Sequence, residues 1–290
     1  MLRLSLLLVS VVSLACHREP NPPTIPAMPV TAETQPTPEK HEVDVARGEY
    51  IAAISGCTTC HGADLSGGDK MPNITADPGT GIGKWTDTQI IAAVRRGVRP
   101  DGGRLAPLMP YPYFNRMTDA DAQALVVYIR AQPPVQKQVE RGKFPMQPIA
   151  ISAPVHNVDR AEDPRAHGEY LAALMHCGAC HTPQQGPYAN QALAGGTRFP
   201  QPDGSFVITP NVTPDKDTGV GSWDNKDLVR AVREMKDPTG QDLRDPMAKY
   251  KQAWAQLSDT DAAALAAFVR SVPAVRHDIT TDVPPAVSRR

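Results

Sequence analysis

The sequence predicts an all-α protein made of two tandem copies of one small helical domain. Three observations carry that expectation. The chain repeats its own motifs at a nearly constant offset. Apolar residues recur at helical spacing three times in each copy, and the strict alternation of half-buried strands is missing. The 290 residues, 41% hydrophobic with a formal net charge of -1, suffice for two cores, and the balanced charge excludes a strongly basic nucleic-acid binder. Aromatics make up only 5%, which is thin for two cores unless something other than side chains fills their centres. The 30 prolines exceed what helix interiors absorb, so part of the chain must be loop or tether.

Residues 1–15 carry one cation, Arg3, and then an apolar run from Leu4 to Ala15 broken only by serines. That run is too short to span a bilayer and suits a signal peptide, so the chain is expected to be exported to the periplasmic side. Ala15-Cys16 is similar to the lipobox of bacterial lipoproteins, which would make Cys16 a lipidated anchor; Ser13 stands where an aliphatic residue is usual. The alternative is an ordinary signal peptide with an incidental cysteine. Residues 16–43 hold seven prolines and almost no apolar period, the composition of an extended tether.

The repeat then sets the domains. Arg47-Gly48-Glu49-Tyr50 recurs as His167-Gly168-Glu169-Tyr170, and CTTCH as CGACH, both at an offset of 120. Asn73-Ile74-Thr75 pairs with Asn211-Val212-Thr213, and Trp85 with Trp223, at 138, so the second copy carries 18 extra residues after its CGACH. The first copy is expected over 44–134 and the second over 165–275, with a linker at 135–164 and a tail at 276–290. Within each, a first helix carries Tyr50, Ile51 and Ile54, or Tyr170, Leu171 and Leu174, and Gly48 or Gly168 permits close helix approach. A second helix opens on Thr86 or Asp224 as N-cap, with Ile90, Ile91 and Val94, or Leu228, Val229 and Val232, on one face. A third opens on Thr118 or Ser258, each with an aspartate three residues on, and is stopped by Pro133 or Pro273.

The chemistry sits in C-x-x-C-H, at Cys57, Cys60 and His61 and again at Cys177, Cys180 and His181. This is the pattern of covalent c-type haem attachment: two intervening residues let both sulfurs reach the vinyl groups, and the adjacent histidine turns to the iron. Thiol–disulfide redox would want a βαβ setting, and zinc would want four ligands in each copy; neither is present. Two covalently bound haem c groups would also account for the scarcity of aromatics. For the sixth iron position, Met109 maps by the 138 offset onto Met247. Both fall between the second and third helices beside prolines (Pro107, Pro110, Pro246). Met117 maps onto Leu257 and Met71 onto Thr209, as packing residues would. His41, His156, His167, His176 and His277 have no histidine counterpart and are expected on the surface or in packing.

With these residues in place, both copies resemble class I cytochrome c domains. The run Asn-x-Thr, Thr-Gly-x-Gly, Trp, Met-Pro-Tyr and Thr-Asp-x-Asp is similar to that of cytochrome c subunits of membrane-bound bacterial alcohol and gluconate dehydrogenases. The resemblance covers about residues 44–132 and 165–272. It implies that Asn73, Thr75 and Trp85, with Asn211, Thr213 and Trp223, line the haem edges and donate hydrogen bonds to propionates. Those subunits usually carry three haem domains where this chain has two motifs, and the second copy lacks the Pro after its methionine.

The expected function is that of a dihaem electron carrier with His/Met ligation. Its expected donors are a dehydrogenase or a quinol-oxidising complex, and its acceptor a terminal oxidase or another cytochrome. No hydrolase, metalloprotease or dinucleotide motif argues for separate substrate chemistry. The alternatives are a dihaem peroxidase, which needs one open iron, and a haem-based ligand sensor.

Overall fold

The computed structural model of the protein describes residues 38–282 except 69, 107, 141, 143–162 and 202. The expected signal peptide, the lipidated Cys16, most of the tether, most of the linker and the end of the tail lie outside the described residues. In the first copy, α1 (Pro38–Ile54) leads to a single turn α2 (Cys57–His61), then α3 (Asp87–Arg96), the short α4 (Tyr111–Phe114) and α5 (Asp119–Ala131). The second copy repeats this as α6 (Pro164–Leu174), α7 (Cys177–His181), α8 (Asn225–Arg233), α9 (Lys251–Trp254) and α10 (Asp259–Ser271). The all-α expectation holds, with one addition. The inserted residues of the second copy include a two-stranded antiparallel ribbon, β1 (Arg198–Pro200) with β2 (Phe206–Ile208). Strands of three residues, one ending in proline, are too short to show alternation in sequence.

Each copy is organised on one close helix crossing, α1 on α5 and α6 on α10. A Cβ on Gly48 would fall well inside contact with the carbonyl of Ala124, and one on Gly168 would do the same with Ala264. Only glycine allows the two backbones to meet this closely. Caps fix where the other helices begin. Thr86 and Asp224 form full capping boxes with Gln89 and Asp227. Thr118 and Ser258 accept from the backbone N–H of Asp121 and Asp261, but those carboxylates do not return to the cap and have other partners.

Three expected boundaries are corrected. The first helix begins at Pro38, inside the stretch expected to be tether, because proline suits the first helical turn and the packed half of α1 supports its extension. Val135 and Lys137, expected in the linker, are hydrogen-bonded to Thr75 and Thr80, and His277, expected in the tail, is buried with its N–H donated to Thr218.

The two copies share one hydrophobic core, with Ile51, Leu125, Leu171, Trp254 and Leu265 all in a single cluster. The exchange across their boundary is reciprocal. Tyr50 of the first copy donates its hydroxyl to Asp261 of the second, and Tyr170 of the second donates to Asp121 of the first at 2.6 Å. Each hydroxyl also accepts the N–H of the opposite N-cap residue, Ser258 or Thr118. Likewise α9 packs on α1 and α4 on α6. Trp254 carries its indole N–H to the carbonyl of Ile54 at 2.9 Å, satisfying an orphan acceptor at the end of α1. Among the described residues no helix is long and apolar enough to cross a membrane.

Candidate haem sites

Each CxxCH segment forms one helical turn behind a residue in the left-handed region, Gly56 at φ +72° and His176 at φ +43°. That reversal lets the turn double back from the first helix of its copy, so the cysteines and the histidine open on a common cavity. The imidazole of His61 donates from Nδ1 to the carbonyl of Pro72 at 2.8 Å, and that of His181 to Pro210 at 3.0 Å. Such a bond fixes both tautomer and ring orientation and leaves Nε2 as the lone-pair donor. Burial lowers both imidazole pKa values, outweighing the carbonyl, so each ring is kept as a neutral ligand.

The cavity measures about 1790 Å³, is walled mainly by apolar side chains and is continuous between the copies. Ligand pockets commonly hold about 300–1,000 Å³, so the space fits two bulky apolar groups and exceeds one. Cys57, Cys60, His61 and Met109 line it from the first copy, and Cys177, Cys180, His181 and Met247 from the second. The four cysteines form no disulfide. Burial pushes the Cys57 and Cys177 thiols up to about 12, opposite to the lowered thiol of a disulfide catalyst. Among the described residues no three His, Cys, Asp or Glu side chains gather to hold a bare ion, so a zinc site lacks its ligand set. The donor set and the space both fit haem.

Met109 and Met247 are half-buried on the cavity wall, each at the start of a turn, Met109 before α4 and Met247 in the 3₁₀ turn Met247–Tyr250. Met117 and Met175 also border the cavity but are fully buried in the core behind it, and Met235 is buried in the core. Met71 also lines the cavity, but it precedes the Pro72 whose carbonyl holds His61. His167, His176 and His277 are buried packing residues, while the side chains of His41 and His156 lie outside the described residues.

Four expected propionate donors have a different task. Asn73 uses both amide hydrogens on Thr80 Oγ1 (3.1 Å) and the carbonyl of Val135 (2.7 Å), and its oxygen accepts from the Thr75 N–H and hydroxyl. Asn211 and Thr213 do the same with Thr218 and Val275. These residues staple the loop below the cavity to the chain leaving α5 or α10, and they have no hydrogen left for a propionate. Trp85 and Trp223 do line the cavity, and neither indole N–H has a partner among the described residues. Their loops are braced by residues that carried no sequence signal. Arg130 and Arg270, near the ends of α5 and α10, donate to the carbonyls of Trp85 and Trp223.

An aromatic group missed in sequence fills the space between the two haem-binding turns. Tyr250 stacks on Trp254 with centroids 4.6 Å apart and meets the edge of His176 at 5.3 Å. A Cβ on Gly56 would lie 2.7 Å from the Tyr250 ring, and one on Gly178 3.1 Å from Tyr113. Each copy thus places a tyrosine against the other copy's CxxCH turn.

Fold and site together define the class, an α-helical protein with two covalently bound haem c groups. The Cytochrome c family model matches residues 45–133 and 166–273, and the chain belongs to that family. It is 32% identical over 281 residues to the fructose dehydrogenase cytochrome subunit of Gluconobacter japonicus, covering 83% of this chain and 55% of that one. It is 31% identical over 263 residues to the gluconate 2-dehydrogenase cytochrome c subunit of Pantoea cypripedii, covering 79% and 60%. A diheme cytochrome c-type protein of Cereibacter sphaeroides is 31% identical over 265 residues, with 80% of this chain and 87% of that protein aligned. The chain therefore spans little more than half of the dehydrogenase subunits and most of the dihaem protein.

Proposed function

We propose that the protein is a dihaem electron carrier in which His61 and Met109 hold one iron and His181 and Met247 the other. Cys57 and Cys60, and Cys177 and Cys180, form the thioethers. The observation that carries this reading is the duplicated pairing of a locked imidazole with a half-buried methionine, at matching repeat positions, on one shared cavity. A haem bound there supplies a one-electron Fe(III)/Fe(II) couple. The chain's own groups do the rest. The Pro72 and Pro210 carbonyls aim the imidazoles, the Met109 and Met247 thioethers close the remaining position, and the apolar wall excludes water. Trp85 and Trp223 offer indole N–H groups to propionates.

The relatives named as dehydrogenase subunits support a dehydrogenase as redox partner. A quinol-oxidising complex as alternative donor and a further cytochrome or terminal oxidase as acceptor follow from the carrier reading alone. The N-terminal run and Cys16 support an exported, lipid-anchored protein on the periplasmic side. Replacing Cys16 with serine is then expected to release the protein from membranes.

The test of ligation is optical. Ferric protein should show the weak near-red sulfur-to-iron band, and Met109→Ala and Met247→Ala should each remove about half of it. An unchanged spectrum in both variants overturns the assignment. High-spin features with carbon monoxide binding to reduced wild type would turn the reading to a peroxidase or sensor.

A further inference from the structure

The two halves of the cavity differ in the sign of their charged side chains. From the first copy come Lys70, Arg99 and Arg104, and from the second Asp237, Asp242 and Arg244; the Arg116–Glu169 ion pair sits between them. By the offset that pairs Met109 with Met247, Arg99 corresponds to Asp237 and Arg104 to Asp242, so two guanidinium groups stand where the other copy has carboxylates. Arg96, at the end of α3, corresponds in the same way to Glu234. Both carboxylates are kept ionised, Asp237 by the Thr239 hydroxyl and neighbouring N–H groups, Asp242 by Lys236 at 2.9 Å, which partly offsets its charge and leaves Asp237 as the main anion of this half. Arg99 is half-buried and partly offset by Asp101 at 3.2 Å.

Reduction lowers the charge of a haem site by one. Nearby cations favour the reduced form and nearby carboxylates oppose it, and net charge is among the factors that set haem potentials. We propose that this charge inversion makes the first copy the stronger electron acceptor, so that electrons enter through the second copy and collect on the first. In that step the ferrous iron of the second copy gives up one electron and the ferric iron of the first takes it. No bond breaks and no proton moves; the electron comes from a reduced dehydrogenase or quinol-oxidising partner. The proposal rests on the carrier reading and deepens it by giving the pair a direction.

The test is a potentiometric titration of the holoprotein followed by haem absorbance. Wild type should show two one-electron waves. Arg99→Gln should lower the upper wave and leave the lower in place. Asp237→Asn, whose amide oxygen can still accept the turn's hydrogen bonds, should raise the lower wave. The double variant should bring the two together, and Arg99→Lys should leave the upper wave where it was. Added salt should narrow the separation, since several of these groups are exposed. Coincident waves in wild type, waves that ignore both substitutions, or Arg99→Gln acting on the lower wave would overturn it. Failure of the carrier reading shows separately, as a missing sulfur-to-iron band or carbon monoxide binding in wild type.

Discussion

The two copies build the same corner from different chemistry. Where α1 meets α5, Arg47 grips both oxygens of Asp121, at 2.7 and 2.9 Å, and Tyr170 adds a bond from the other copy. Where α6 meets α10, His167 reaches one oxygen of Asp261 at 2.6 Å, Tyr50 supplies a further contact, and Nδ1 of His167 is buried without a hydrogen bond among the described residues. Geometry is repeated while charge diverges. The glycine crossing, the N-caps and the cross-copy tyrosines recur, because each is the requirement of one backbone arrangement. The side chains that set local charge are under no such constraint.

The comparison can be broken or sharpened in four ways. The largest effect is expected at the crossings, where the copies should behave alike: Gly48→Val and Gly168→Val should each cost about 4 kcal/mol or more, seen as a collapse of the denaturation midpoint. Unequal losses would mean that one crossing is looser than its twin. At the corner the copies should differ. Asp121→Ala leaves a largely buried Arg47 uncompensated and should cost about 3–4 kcal/mol, whereas Asp261→Ala leaves a histidine and should cost about 1–2 kcal/mol by chemical denaturation.

The third test uses pH. Burial brings His176 down to about 4, while an unfolded histidine titrates near 6.5. Between those values the unfolded chain binds the proton and the folded one does not. Stability present above pH 6.5 is therefore lost as pH falls toward 4, by roughly 3 kcal/mol. The first copy has Gly56 at this place and contributes no such slope. His176→Asn, which tolerates the left-handed backbone, should flatten the profile in that window; an unchanged slope counts against the assignment. The smallest effect is expected from Trp254→Phe, about 1–2 kcal/mol, because it frees the Ile54 carbonyl in a buried setting. Phe114, the counterpart in the first copy, has no N–H to lose, so Phe114→Tyr serves as the contrast in the same denaturation series.

What could be read from the sequence follows the range of each signal. CxxCH, the crossing glycines and the caps at Thr86, Asp224, Thr118 and Ser258 are local patterns with one structural meaning, and the repeat supplied a second copy to check each against. Tyr50 and Asp261, 211 residues apart, carried no sign of their meeting, and neither did Trp254 and Ile54. Asn73 and Asn211 were placed near the site by resemblance, but their real partners, Val135 and Val275, lay past the ends of the helices, one of them in a segment expected to be linker. The charge inversion at Arg99 and Asp237 was present in the aligned repeat. It gained meaning only once both positions proved to face the cavity.

The exchanged tyrosines have one further consequence. Each half supplies a hydroxyl that finishes the other's helix start, and the hydrophobic core runs unbroken between them, so the two CxxCH turns are held to one another by packing and not by a flexible link. The pair is arranged as a fused, self-complementary dimer, and pulling the halves apart would unmake both helix starts and the common core.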